Sequence, residues 1–171
     1  MSSLNSYVSE AARKAKAASQ MTAGLSSREK NCVLLEVARL LEIGKKSLQR
    51  QNGLDLGRAE ARKLKPALID RLTLTPQRID EMSEGVRAVA RLDDPIGKVL
   101  AQWKRPNGLA ISKVTVPLGV IFIIYESRPN VTSECASLCL KSGNAVILRG
   151  GSEAFHSNQA LVHVYHQALQ K

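Results

Sequence analysis

The fold is decided by residues 119–148, which read GVIFIIYESRPNVTSECASLCLKSGNAVIL. Residues 119–124 are apolar without alternation and rich in β-branched side chains, which is the pattern of a strand buried on both faces of a parallel sheet. Residues 130–141 have helical character, and residues 145–148 form a second short apolar strand. This strand, helix and strand predict the right-handed crossover unit of a doubly wound, Rossmann-like α/β fold.

The second strand is followed by Arg149, Gly150, Gly151 and Ser152, and then by a helix predicted to run to about residue 170. Open α/β sheets bind ligands at the carboxyl ends of their strands, where the free amides of a helix start attract phosphate or ribose oxygens. Paired glycines let a ligand approach the backbone closely. A tight turn followed by a helix cap explains the same residues without a ligand, and the full Gly-x-Gly-x-x-Gly fingerprint is absent.

The equivalent edge of the first strand carries Glu126, Ser127, Arg128 and Asn130. Glu126 and Arg128 are charges placed where a cleft would lie, or else they form a surface ion pair with each other, which stabilises little. Because both strand ends bring polar groups to one edge of the sheet, the sequence favours the cleft.

The residues before these strands predict helices and one hairpin. A capping box at residues 26–29 starts the second helix, and Gly44 is expected to end it in a left-handed conformation. Thr75 followed by Pro76 predicts the start of the last helix of this region. Asn107-Gly108 predicts a hairpin turn between strands at 99–104 and 109–116. The chain is thus divided into a helical region (1–93), linking hairpin strands (94–117) and the first part of a nucleotide-binding α/β domain (118–171).

Composition excludes several classes of protein. The 171 residues are 44% hydrophobic and 23% charged, which is ordinary for a globular protein. The longest apolar run, residues 116–125, is about half the length of a bilayer span, and residues 1–16 contain no apolar core of signal-peptide length. The net charge of +10 is spread without long blocks of one sign, and aromatic residues make up only 4%. These features predict a soluble, cytoplasmic protein with neither a membrane nor a nucleic-acid partner.

Cysteine and histidine residues suggest no separate reactive centre. Cys135 and Cys139 lie four apart on one helix face and are predicted to be buried structural thiols, as is Cys32 in an apolar stripe. His163 and His166 lie three apart in the last helix without further ligands, so no metal site is expected.

Several motifs together resemble the γ-glutamyl phosphate reductase family of the aldehyde dehydrogenase superfamily. They are LSSREKN at 25–31, DRLTLTP at 70–76, DPIG at 94–97, VPLGVI at 116–121, YESRPNVT at 125–132, ASLCLKSGNAVILRGG at 136–151 and HSN at 156–158. The resemblance covers essentially the whole chain in order, but only the N-terminal part of the longer family members. Because the chain also stops after a crossover helix, where the next parallel strand should begin, we expect it to be part of a longer polypeptide.

The resemblance implies an NADPH-dependent reduction of L-glutamyl 5-phosphate to L-glutamate 5-semialdehyde in proline biosynthesis. The family's cysteine nucleophile lies in a downstream domain, so no catalytic residue is assigned within this chain, which is expected to be inactive alone. Glu126, Ser127, Arg128 and Asn130 are then substrate or cleft residues. Ser127 stands where aldehyde dehydrogenases carry an asparagine that stabilises the oxyanion, so that role passes to backbone amides or to Asn130.

The resemblance also implies where NADP(H) binds. Arg149, Gly150, Gly151 and Ser152 correspond to the stretch that holds the adenosine ribose in the superfamily, with arginine where many relatives have lysine. A guanidinium can bind the 2′-phosphate of the cofactor. The alternative is a non-catalytic module of the same fold that binds a nucleotide or a protein partner. The oligomeric state is left open, with a homo-oligomer among the alternatives.

Overall fold

The computed structural model of the chain describes residues 2–170 and contains the predicted elements in the predicted order. The helical region comprises α1 (Ser2–Ala23), α2 (Ser27–Ile43), α3 (Lys45–Ala61), α4 (Pro66–Leu72) and α5 (Pro76–Arg91). It is followed by β1 (Val99–Lys104), β2 (Ala110–Val114), β3 (Val120–Ile124), α6 (Pro129–Lys141), β4 (Ala145–Arg149) and α7 (Phe155–Leu169). A short 3-10 turn, Ser152–Ala154, separates β4 from α7.

Local side-chain signals fix where α2 and α5 begin. The Ser26 hydroxyl accepts a hydrogen bond from the Glu29 amide, and the Glu29 carboxylate accepts one from the Ser26 amide at 2.8 Å. At the start of α5 the Thr75 hydroxyl accepts a hydrogen bond from the Arg78 amide at 3.1 Å, and Pro76 occupies the first turn. Both predicted helix starts are confirmed, because each satisfies an amide that would otherwise lack a partner.

The predicted left-handed helix stop at Gly44 is wrong. Gly44 has a φ of −85° and right-handed helical geometry, and its amide donates to the Leu40 carbonyl at 2.9 Å. α3 begins at the next residue, so the backbone keeps a right-handed conformation at the junction between α2 and α3. A Cβ at Gly44 would lie 2.8 Å from the Leu40 carbonyl oxygen, so glycine is needed here for a close approach rather than for its φ.

β3 and β4 pair in parallel, and α6 connects them, as the crossover pattern predicts. The start of β3 is fixed by Asn144, whose side-chain oxygen accepts a hydrogen bond from the Gly119 amide at 2.8 Å. The turn after α6 uses Gly143 at a φ of +68°, a conformation that other residues rarely adopt. Helix α1 packs against both strands.

The prediction that β3 is buried on both faces is wrong for the part of the chain that the structure describes. Val120, Phe122 and Ile124 are 36%, 59% and 70% exposed, whereas Ile121 and Ile123 are half-buried. Within residues 2–170, β4 is the one strand that pairs with β3, and no element covers the outer face of β3. The side chains on that face are therefore exposed.

We expect the 171-residue chain to self-associate through this face, because an exposed apolar strand with an open edge favours pairing with another copy. The double substitution Phe122→Lys and Ile124→Lys should shift sedimentation velocity profiles toward the monomer. Leu35→Lys is the matched control, since Leu35 is equally apolar and 50% exposed but lies on α2. A monodisperse monomer of the unmodified chain at every concentration would contradict this prediction.

The hairpin of β1 and β2 forms a separate antiparallel sheet. Its turn follows the predicted Asn107-Gly108 signal, with Gly108 at a φ of +88° and the Arg105 amide donating to the Leu109 carbonyl at 2.9 Å. Nearly every residue of both strands is exposed. The hairpin therefore contributes little to the core of the described chain.

The core joins the helical region to the crossover unit. One cluster of buried residues takes side chains from α2, α3, α5, α6 and α7. Its members are Leu34, Val37, Ala38, Leu41, Leu48, Leu74, Ile79, Met82, Val86, Ala90, Leu140, Leu161, Val164, Tyr165 and Ala168. The helices before the hairpin thus bury their apolar faces against the helices after it.

A buried ionic cluster reinforces this junction. Lys30 on α2 is 2% exposed, and its ammonium lies 2.5 Å from the carboxylate of Asp94, in the segment between α5 and β1. Lys141 on α6 donates to the Asn31 side chain at 2.6 Å and to the Ala90 carbonyl at 2.9 Å. Burial raises the pKa of Asp94, but hydrogen bonds from Lys30 and a backbone amide outweigh it and hold the pKa below its ordinary value.

Candidate functional site at the strand ends

The carboxyl ends of β3 and β4 lie side by side. Ile124 pairs with Arg149, and the Tyr125 amide donates to the Arg149 carbonyl at 3.1 Å. The two segments that the sequence singles out, residues 126–130 and 149–152, therefore leave the sheet at the same edge.

Both glycines of the second segment lie against other parts of the protein. A Cβ at Gly150 would lie 3.0 Å from the Tyr125 hydroxyl and would also clash with Asn158. A Cβ at Gly151 would lie 2.6 Å from the Ser127 hydroxyl. No other residue fits at either position without displacing these neighbours. The two glycines are accordingly explained by close packing between the two strand ends within the protein.

Two short hydrogen-bond chains connect the strand ends. The Ser127 hydroxyl donates to the Glu153 carboxylate at 2.7 Å, and this bond is the main reason that the pKa of Glu153 lies below its ordinary value. The hydroxyls of Tyr125 and Thr132 are 2.6 Å apart, and Thr132 donates to the side chain of Asn158 at 2.8 Å. No site role was predicted for Glu153, Thr132 or Asn158, because nothing in their local pattern shows that these side chains meet.

The start of α7 is occupied by a carboxylate from α3. Asp55, only 1% exposed, accepts hydrogen bonds from the His156 amide at 3.0 Å and from the Ser157 amide and hydroxyl at 2.8 and 2.7 Å. Asn52 donates to the same Ser157 hydroxyl at 3.0 Å. Two amides in the first turn of α7 are therefore already bound. A second anion there would also be repelled by Asp55.

Arg149 and Ser152 are the exposed residues of the predicted cofactor segment. The Arg149 guanidinium donates to the Gly150 carbonyl at 2.7 Å, and within residues 2–170 no carboxylate forms an ion pair with it. Its positive charge is thus available to an anionic ligand.

A cleft of about 550 Å³ opens beside the end of β3, between α5 and α6. Its apolar wall is formed by Leu74, Met82, Val86, Val89 and Leu138. Charged and polar groups line the rest, and they include two predicted residues, Arg128 and Asn130. Glu126, Ser127 and the residues at the end of β4 do not line this cleft, so it takes in only part of the predicted cleft residues.

The charges at the cleft pair differently from the simplest sequence interpretation. Glu126 does not pair with Arg128; its carboxylate lies 3.7 Å from the guanidinium of Arg71 on α4. Arg128 is exposed and forms no ion pair within residues 2–170. Asn130 donates to the carboxylate of Glu134 at 2.9 Å. Arg71 was not singled out in the sequence, because only folding brings α4 to the strand ends.

The thiols on α6 lie in surroundings that suit a structural role. Cys139 is buried as predicted, and burial raises its pKa to about 11; Cys135 is only half-buried, and burial likewise raises its pKa. A raised pKa disfavours the thiolate that a nucleophile requires, which supports the prediction that both thiols are structural. Cys32 is exposed, and the prediction that it is buried is wrong, because it lies beside the buried stripe of α2 rather than in it.

The described residues offer neither a metal site nor a membrane-spanning helix. Residues 2–170 contain no group of three or more histidine, cysteine or acidic side chains arranged to hold a metal ion. None of the helices in this range has the length and apolar character needed to cross a bilayer.

Comparison with curated proteins finds gamma-glutamyl phosphate reductases among the similar sequences. The chain is 56% identical over 159 residues to the gamma-glutamyl phosphate reductase of Carboxydothermus hydrogenoformans, which covers 93% of the chain and 38% of the relative. It is 51% identical over 161 residues to that of Geobacillus kaustophilus, covering 94% of the chain and 39% of the relative. The chain thus spans about two fifths of the length of these relatives. No protein-family model matches it.

Solved structures agree. The crystal structure of gamma-glutamyl phosphate reductase from Thermotoga maritima superimposes with a TM-score of 0.92 at 44% identity, over 94% of this chain and 39% of that one. The crystal structure of gamma-glutamyl phosphate reductase from Saccharomyces cerevisiae superimposes with a TM-score of 0.87 at 31% identity, over 93% of this chain and 40% of that one. A propionaldehyde dehydrogenase from Clostridium phytofermentans, at 14% identity and a TM-score of 0.60 over 94% and 33%, shows the fold alone. The chain therefore has the aldehyde dehydrogenase-like α/β fold, and over nearly its whole length it is related to the N-terminal part of gamma-glutamyl phosphate reductases.

Proposed function

We propose that the protein containing this chain reduces L-glutamyl 5-phosphate to L-glutamate 5-semialdehyde with NADPH, releasing NADP⁺ and inorganic phosphate. The observation that carries the proposal is the identity of 50% or more, across nearly the whole chain, to relatives that are all named for this reductase. The chain's own part in the reaction is to hold the adenosine end of the cofactor and the amino-acid end of the substrate.

The residues at the end of β4 suit the 2′-phosphate of an NADP cofactor, but the helix that follows them suits its diphosphate poorly. Arg149 offers an exposed guanidinium without a carboxylate partner, which suits the 2′-phosphate of NADP. The first turn of α7 suits the diphosphate poorly, because Asp55 already accepts hydrogen bonds from two of its amides and would repel a second anion. When bound, the nicotinamide supplies the hydride; the residues of this segment only position the cofactor.

The cleft between α5 and α6 fits the glutamyl part of the substrate. The unpaired guanidinium of Arg128 suits the α-carboxylate, the carboxylate of Glu134 suits the α-amino group, and the apolar wall suits the methylene chain. Ser127 already donates its hydroxyl proton to Glu153, so it is not a donor to the acyl oxygen. Asn130 donates one amide proton to Glu134, so its second amide proton and backbone amides are the donors that remain for the oxyanion.

The experiment that tests the cofactor assignment is Arg149→Ala in the protein expressed from the full reading frame. We expect its affinity for NADPH to fall by a factor of roughly 10 to 100, since one charge-assisted phosphate contact contributes about 1.5–3 kcal/mol. The affinity for NADH should change little. Arg50→Ala, which removes an exposed arginine on α3, is the matched control. Equal weakening of both cofactors would show that Arg149 acts structurally.

The same protein distinguishes the reductase from a non-catalytic nucleotide-binding module. Glutamate 5-semialdehyde, phosphate and NADP⁺ should generate NADPH absorbance if the protein is the reductase. Binding of NADPH without such turnover would favour the module.

A further inference from the structure

We infer that Gly85 sets the width of the cleft between α5 and α6. It thereby determines which amino-acid substrate can place its side chain in the cleft. The inference rests on the proposed function and deepens it. Gly85 is exposed and belongs to the face of α5 that lines the cleft, together with Met82, Val86 and Val89. These positions recur every three or four residues, so they project from one side of the helix.

Neither packing nor backbone conformation requires glycine at this position. A Cβ added to Gly85 meets no atom within 4 Å, and the residue does not adopt a positive φ. Gly44, Gly150 and Gly151 differ, because a side chain at any of them would collide with the protein. A glycine inside a helix weakens that helix relative to alanine. What Gly85 provides in return is open space in the wall of the cleft.

Two glycines of α3 serve as controls for the effect of helix propensity. Gly53 and Gly57 are also exposed, lie inside a helix and have nothing within 4 Å of an added Cβ. They do not line the cleft. Replacing them by alanine therefore changes the helix in the same way while leaving the cleft untouched.

A side chain at Gly85 would enter the space that the ligand uses. The opposite wall is formed by one face of α6, which carries Asn130, Glu134 and Leu138. A methyl group from α5 narrows the gap between the two helices, and an isobutyl group closes more of it. The substrate must then shift or lose contacts, and one misplaced methylene changes recognition by roughly a factor of 10 to 200.

The test is the series Gly85→Ala and Gly85→Leu in the protein from the full reading frame, with Gly53→Ala and Gly57→Ala as controls. We expect the KM for glutamate 5-semialdehyde in the reverse reaction to rise about tenfold or more for alanine, and further for leucine. The KM for NADP⁺ should stay unchanged. The melting temperatures of both Gly85 variants should equal or exceed that of the unmodified protein, because alanine and leucine favour the helix.

Binding without turnover gives a second readout. Stabilisation of the protein by glutamate 5-semialdehyde, followed as a thermal shift, should decrease from glycine to alanine to leucine at position 85. If the unmodified protein shows no turnover but this order is found, the proposed reaction fails and the inference on Gly85 holds. If Gly85→Ala has the same KM and the same thermal shift as Gly53→Ala, the inference is overturned while the proposed function stands.

Discussion

Replacing Asp94 by alanine is expected to lower the free energy of unfolding by about 3–5 kcal/mol at neutral pH. The substitution leaves the ammonium of Lys30, which is 2% exposed, buried without its carboxylate partner at 2.5 Å. An uncompensated buried charge is far more destabilising than the loss of a surface pair. Urea denaturation of the chain, followed by circular dichroism, measures the effect.

Asp93 offers a matched control for this substitution. Its side chain is 94% exposed and lies 3.9 Å from Lys98, so Asp93→Ala should change the stability by no more than about 0.5 kcal/mol. Combining Asp94→Ala with Lys30→Met should recover part of the loss, because the buried charge is then gone. Equal effects of Asp93→Ala and Asp94→Ala would contradict the assignment of a buried pair.

The Asp94 contribution should also depend on pH. The folded protein holds the pKa of Asp94 below its ordinary value, so the unfolded chain takes up the proton first as the pH falls. The stabilisation is therefore complete above the ordinary pKa of about 4 and is lost as the pH falls through the folded value. The difference between the unmodified chain and Asp94→Ala should accordingly shrink below about pH 4.

Asp55→Ala is expected to lower the free energy of unfolding by about 3 kcal/mol. The substitution removes a buried carboxylate that accepts three hydrogen bonds, from the His156 amide and from the Ser157 amide and hydroxyl. Within residues 2–170, no other carboxylate accepts a hydrogen bond from these donors. Urea denaturation measures the change, with the exposed Glu60→Ala on the same helix as the control. A loss no larger than that of Glu60→Ala would show that another group caps α7.

Features set by neighbouring residues could be predicted from the sequence. The capping box at Ser26 and Glu29, the turn at Gly108 and the crossover of β3, α6 and β4 depend on short-range patterns, and the structure contains all of them. The stop at Gly44 was misjudged because the same glycine suits two helix junctions. Its local pattern does not show that α3 begins at the next residue.

Features set by distant residues could not be predicted. Asp55 reaches the start of α7 across about 100 positions of sequence, and Lys30 meets Asp94 across about 60. The burial predicted for β3 is too high, because an apolar run shows that a strand can be buried but does not show which elements cover it. At the site, topology was sufficient to bring Arg128 and Arg149 to one edge. The hydrogen bond from Ser127 to Glu153 could not be predicted, because it depends on how the two segments pack against each other.

The shared core has a consequence for how the chain is made. The apolar face of α2 ends at Leu41, whereas its partners on α7 begin at Leu161, about 120 residues later. At a synthesis rate of about 5–20 residues per second, α2 leaves the ribosome roughly 6–24 seconds before α7. Throughout that interval the stripe from Leu34 to Leu41 can be covered by α5 but not by α7. The nascent chain thus carries an unfinished apolar surface, which is the kind of surface that chaperones bind until translation supplies the missing helix.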